Sequence, residues 1–201
     1  MNDAKAAQAD IPLQDLLREI RACRHCESQL PLGPRPVLRA SASARILIVG
    51  QAPGTRVHET GIPWNDPSGD RLRQWLQMSP EEFYDESMIA IVPMGFCYPG
   101  RGKSGDLPPS PDCAPLWHER LLQHMPRLEL VLLVGSYAQN RYLGKSRENL
   151  TQRVRRFEDF APRFLPLPHP SPRNTLWLRR NPWFEEEVVP TLRRRLAEIF
   201  P

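Results

Sequence analysis

ARILIVG (residues 44–50) is a short, unbroken apolar run that stops at a glycine, and its reading decides the fold. A run this short, rich in Ile and bounded by a turn residue, predicts a strand buried on both faces of a sheet. SMIAIVPM (87–94) and LELVLLVG (128–135) repeat the pattern. RFLPLP (163–168) is a weaker fourth strand, whose prolines suit an edge or a strand end. Helical spacings fall between and around these runs. IPLQDLLREIRA (11–22) places Leu13, Leu16, Leu17 and Ile20 on one face, and DRLRQWLQM (70–78) does the same with Leu72, Trp75 and Leu76. CAPLWHERLLQHM (113–125) and SYAQNRYLG (136–144) read as two more helices. NPWFEEEVVPTLRRRLAEIF (181–200) reads as a last one, with Asn181 as N-cap, Pro182 at the first helical position and a kink at Pro190. Strands alternating with helices predict an α/β fold: a three-layer α/β/α sandwich around a central, mostly parallel four-stranded sheet. The expectation is one domain over residues 1–201.

Composition sets the boundaries. The chain has 201 residues, 40% of them apolar, enough to bury a core and too many for a disordered chain. No run approaches the roughly 18 apolar residues that a membrane span needs. The start, MNDAKAAQADIPLQD, lacks a basic segment followed by an apolar one, so a cytoplasmic protein without a signal peptide is expected, acting as a monomer. In that compartment four cysteines suggest a metal site or catalysis before disulfides. The formal charge is only +4, but residues 141–180 hold ten Lys/Arg against three acids, a local +7. The other 161 residues, with 17 basic and 20 acidic side chains, net −3. A basic zone on a near-neutral body is the footprint of a phosphate-backbone binder, although a solvated arginine-rich face gives the same count. Proline, 23 of 201, is about twice its usual share of ~5% and is scattered in short motifs.

In open α/β sheets ligands bind where loops leave the carboxyl ends of the strands. The most distinctive segments lie there: GQAPGTRVHETGIPWNDPSGD (50–70), GFCYPGRGKSGDLPPSPDC (95–113) and HPSPRNT (169–175). Taken alone, GQAPG is a tight turn that brings backbone N–H groups near a ligand, and a histidine beside proline carries little information. Their combination, across most of residues 20–180, resembles the uracil-DNA glycosylase superfamily. The similarity is greatest to its iron–sulfur-containing branches, often called families four and five.

Cysteine spacing supports the same resemblance from separate residues. Cys23 and Cys26 form a C-x2-C pair, and Cys97 and Cys113 are separated by fifteen residues. Four soft ligands in two pairs suit either an iron–sulfur cluster or a structural Zn2+. His25, inside the first pair, is an alternative zinc ligand but has poor spacing with its neighbours. The resemblance implies a [4Fe–4S] cluster on Cys23, Cys26, Cys97 and Cys113.

The reaction implied is hydrolysis of the N-glycosidic bond of a deaminated base in DNA, the first step of base excision repair, with uracil or hypoxanthine as the base. Such an enzyme extrudes the nucleotide into a pocket, stabilises a departing base anion, and steadies an attacking water. By resemblance, His169 donates to the base, and Trp64 stands where the family has a ring that stacks on it. Gly50, Ala52, Pro53, Gly54 and Ser171 complete the pocket. Gln51 replaces the family-four glutamate that orients water, and Asp66 in NDPSGD falls near the family-five aspartate, as base or cation stabiliser; His58 and Glu59 are reserves. Arg173, Asn174, Arg179 and Arg180 are expected at DNA phosphates, with Leu176, Trp177 and Leu178 as the apolar wedge. Pro93 stands where family four has the asparagine that reads uracil. Gln51 and Pro93 also motivate an alternative, a glycosylase-like domain that binds damaged DNA without turnover. An unrelated metal-dependent hydrolase lacks any H-E-x-x-H-type motif to support it.

Overall fold

A computed structural model of the chain describes residues 12–103 and 105–201. The expected helix start at Ile11 lies outside them, and the rest of that helix forms as α1, Leu13–Arg21. The four expected strands are present: β1 (Ile46–Val49), β2 (Ile89–Ile91), β5 (Leu130–Val134) and β6 (Phe164–Leu167). They form one parallel sheet in the order β2-β1-β5-β6. Register aligns Ile46 with both Ile89 and Leu130, and Leu132 with Leu165. A two-stranded hairpin, β3 (Arg101–Gly102) and β4 (Gly105–Asp106), stands apart from it.

Side chains alternate across a strand, so each strand feeds two cores. Ile46, Ile48, Ile89, Ile91, Leu130, Leu132, Leu165 and Leu167 face one side. There they meet α3 (Pro67–Leu76) through Leu72 and Trp75, and α9 (Val189–Ile199) through Leu192 and Leu196. Leu47, Val49, Ala90, Val131 and Leu133 face the other, against Leu16, Leu17 and Ile20 of α1 and Trp117 and Leu121 of α5 (Cys113–Gln123). The result is the three-layer sandwich, with apolar strands because both faces are covered. Both outer strands are blunted as edges: β2 takes an antiparallel bridge between Ile91 and Arg39, and β6 carries Pro166, which has no N–H to offer.

The helix expected over 136–144 forms as α6 (Ser136–Tyr142), while sequence patterning missed the short connecting helices α2 (Thr55–Thr60), α4 (Pro80–Phe83), α7 (Leu150–Arg155) and α8 (Thr175–Arg180). At four to six residues the missed helices are too short to show a period. The last helix departs from expectation at its start. Asn181 does not cap it through its side chain; its amide donates to the Trp177 carbonyl at 2.8 Å and accepts from Trp183 Nε1 at 3.2 Å, closing α8. A π-helical turn, Phe184–Val188, then leads into α9 with Pro190 in its first turn, so the regular α-helical ladder is interrupted just ahead of the proline. Among the described residues no helix is long and apolar enough to cross a membrane.

Candidate active site

The three loops singled out in the sequence converge at the carboxyl edge of the sheet. They enclose a cleft of about 550 Å³. Gly50, Gln51, Ala52, Pro53, Gly54, Trp64 and Asp66 line it from the loop after β1, Pro93 from the end of β2, and His169, Ser171, Arg173 and Asn174 from the loop after β6. Residues more than a hundred positions apart meet here because parallel strands all deliver their loops to one edge.

His169 is held in one chemical form. The Ser171 amide donates to its Nδ1 at 3.2 Å, so in the neutral ring Nε2 carries the proton. Burial pushes its pKa below the usual histidine range, and the nearby Asp66 charge opposes that only in part. The side chain is therefore a neutral Nε2–H donor. Its loop is braced from both ends. Asn174 Nδ2 donates to the His169 carbonyl at 2.8 Å, and Arg71 of α3 donates to the carbonyls of Pro170 at 3.3 Å and Ser171 at 3.0 Å. Nothing in the sequence pointed to Arg71, an ordinary helix-face arginine until the fold brings that loop over it.

Trp64 sits in the left-handed region at φ 57°, a costly conformation for a bulky side chain and one that recurs at functional sites. Two glycines make it possible. A methyl on Gly50 would lie 2.8 Å from the indole, and one on Gly69 would lie 1.7 Å from the Trp64 carbonyl oxygen. The indole lies against His169, with ring centroids 5.6 Å apart. The Gly69 amide donates to Asp66 Oδ1 at 2.9 Å, making Asp66 the N-cap of α3. Gln51 donates through Nε2 to the Leu107 carbonyl at 3.1 Å, which leaves its Oε1 as an acceptor. Pro93 offers its carbonyl inward, to the buried His118 Nε2 at 2.9 Å. The end of β2 thus presents a pyrrolidine ring to the cleft.

Other expected residues lie elsewhere. His58 and Glu59 are outside the cleft lining, and His58 Nδ1 is buried with no hydrogen-bond partner among the described residues. Trp177 packs against Trp183 and Phe184, and its indole donates to Thr151 at 2.8 Å, so it is anchored to the protein; Leu178 packs on the same core. Leu176 is the projecting member of that trio, 56% exposed, with Arg179 and Arg180 exposed beside it. Part of the basic zone is buried or paired: Arg153 is buried against Asn140 and Gly144, while at the surface Arg155 pairs with Glu187, and Arg156 with Glu148 and Asp159. Sequence inspection also missed Asp106 of the hairpin, which lines the cleft with Gly105. The glycines in RGKSGD were its only signal.

Cys23, Cys26, Cys97 and Cys113 line a second cavity, of about 300 Å³, walled by Pro34, Pro99, Pro108, Phe96 and Trp117. None of the four is joined in a disulfide. The Phe96 amide donates to Cys113 Sγ at 3.4 Å. Burial raises the Cys97 thiol to about 11 and the Cys113 thiol to about 12, with smaller contributions from the neighbouring cysteines. Thiolates here need a positive partner. Among the described residues no group of three or more His, Cys, Asp or Glu side chains is set to hold a single metal ion. His25 turns away to Asp112, with Nε2 3.2 Å from Oδ2. Four soft sulfur donors lining one cavity are a donor set that fits either an iron–sulfur cluster or a structural Zn2+.

The fold and the cleft define an α/β protein whose site is built from strand-end loops around a neutral histidine donor, an aromatic ring and carboxylates. Residues 39–193 match the family model of the uracil DNA glycosylase superfamily, and the chain belongs to that superfamily. Its members bind DNA, and the membership supports a DNA glycosylase-like function.

Proposed function

We propose that this protein is a DNA repair glycosylase that hydrolyses the N-glycosidic bond of a flipped-out deaminated base, uracil or hypoxanthine. The observation that carries the reading is His169: a neutral Nε2–H donor, fixed by Ser171, faces a base-sized cleft beside an indole. The departing base takes the bonding electron pair, and Nε2–H donates to the oxygen where that charge collects. Trp64 offers its face to the extruded ring, and Gln51 Oε1 accepts from the attacking water. Pro93 supplies no side-chain hydrogen bond to the base, so the uracil edge is read less strictly than an amide would read it. Leu176 fills the gap in the duplex, and Arg173, Arg179 and Arg180 contact phosphates.

The test is base release from duplexes carrying uracil, hypoxanthine, xanthine or a thymine mismatch, scored as abasic sites. His169→Ala is expected to lower single-turnover release by about 100-fold or more while leaving thermal unfolding in place. Full activity in His169→Ala refutes the site. Tight binding by the wild type without release from any duplex supports instead a damage-binding protein.

We also propose that Cys23, Cys26, Cys97 and Cys113 hold a [4Fe–4S] cluster, which would tie α1 to the loop after β2 and play no part in bond cleavage. Anaerobically purified protein is expected to be brown, with iron and sulfide in near-equal amounts. Colourless protein with stoichiometric zinc overturns this.

A further inference from the structure

The cleft contains two carboxylates, Asp66 and Asp106, and they are differently employed. Asp66 accepts the Gly69 amide at 2.9 Å as N-cap of α3, so one oxygen and the side-chain direction are committed to the helix. Asp106 caps no helix. It ends the β3–β4 hairpin, and its Oδ2 would lie only 3.5 Å from a methyl placed on Gly54, so it reaches across to the loop after β1. The next residue fixes it there: the Leu107 carbonyl accepts from Gln51 Nε2 at 3.1 Å. The Leu107 amide in turn donates to the Gly100 carbonyl at 2.8 Å and closes the hairpin. Gly105 leaves room on the other side. A methyl there would lie 2.2 Å from Arg173 Nη1, so the arginine of the third loop rests against the residue preceding Asp106.

We infer that Asp106, rather than Asp66, is the carboxylate of the reaction. The assignment rests on the glycosylase reading. Gln51 Oε1 and the Asp106 carboxylate are two acceptors brought to one wall of the cleft, and a water has two protons to give. Held by both, the water turns a lone pair toward the sugar. The C1′–N bond breaks, its electron pair leaves with the base, and His169 Nε2–H stabilises the resulting anion. The sugar becomes cation-like, and the Asp106 negative charge stabilises it. A bond forms between the water oxygen and C1′, and the water's proton passes to Asp106. The products are an abasic sugar and a base anion, and the base regains a proton from Asp106 or solvent.

The experiment compares Asp106→Asn, Asp106→Ala and Asp66→Ala in single-turnover base release, with DNA affinity and unfolding measured on the same samples. Both Asp106 variants are expected to lose about 100-fold or more in rate, to bind DNA at least as tightly, and to keep the wild-type unfolding midpoint. Added formate is expected to restore part of the rate to Asp106→Ala and none to Asp66→Ala, whose loss is chiefly in stability. An Asp106→Asn enzyme within threefold of the wild-type rate overturns the assignment, as does formate rescue confined to Asp66→Ala. A wild type that releases no base from any duplex overturns the glycosylase reading and this assignment together. Wild-type turnover with an unimpaired Asp106→Asn overturns this assignment alone.

Discussion

Gly69→Ala puts the geometry of the cleft to a stability test whose sign runs against ordinary helix rules. Position 69 lies in the first turn of α3, where replacing glycine by alanine normally stabilises by about 1 kcal/mol. Here the added methyl would lie 1.7 Å from the Trp64 carbonyl oxygen, 2.6 Å from its carbon and 2.9 Å from its Cβ. These are not the tips of flexible side chains. The Trp64 carbonyl is also held by Arg73 Nη1 at 3.3 Å, and the Pro63 carbonyl beside it by Tyr84 at 2.9 Å. Relief therefore requires moving α3 or the 63–66 turn, at about 1–3 kcal/mol for overpacking. Either movement stretches the Gly69–Asp66 cap, for about 1 kcal/mol more. Set against the propensity gain, the net is a destabilisation of about 1–3 kcal/mol. With a urea slope of about 2 kcal/mol/M, the unfolding midpoint is expected to fall by about 0.5–1.5 M. The same shift moves the Trp64 indole off His169, so base release should fall even where the variant is fully folded. A Gly69→Ala protein with a midpoint at or above the wild type refutes the seating of Trp64 against α3.

Two further outcomes follow from charge. His118 is buried, its Nε2 donating to the Pro93 carbonyl and its Nδ1 accepting from Tyr142 at 2.9 Å, and burial lowers its pKa to about 4. The unfolded chain binds this proton near pH 6.5 and the folded one does not, so stability is full above pH 6.5 and declines as pH falls toward 4. The loss is about 3 kcal/mol over that window, and urea midpoints of wild type and His118→Asn across it should converge as pH falls. A wild-type midpoint that is flat from pH 7 to 4.5 contradicts the buried neutral histidine. Arginine–phosphate contacts release counterions, so DNA affinity should fall steeply from 50 to 200 mM salt, and Arg179→Ala with Arg180→Ala should flatten that slope by about two charges. An unchanged slope in the double variant places the phosphates elsewhere.

The chain announced its layers through ARILIVG and LELVLLVG, because a strand covered on both faces has to be apolar at every position. It announced three loops through their glycines, prolines and lone histidine, because tight turns and close backbone approaches admit few residue types. The clustering of four cysteines was legible from their pairing. What remained hidden depends on neighbours remote in sequence. Trp177 reads as an exposed wedge in LWL, yet the fold seats it between Thr151 and Phe184 and leaves Leu176 projecting. Asp66 carries the motif, but its cap to Gly69 gives it a structural duty, while Asp106 in an unremarkable hairpin reaches the cleft. The tautomer of His169 and the grip of Arg71 on its loop come from single hydrogen bonds made across the folded chain. Periodicity and turn chemistry are local, so sequence alone determined the sheet, its covering helices and the loops that matter. Which side chains of those loops face one another is set by packing at the sheet edge, and only the tertiary structure decided that.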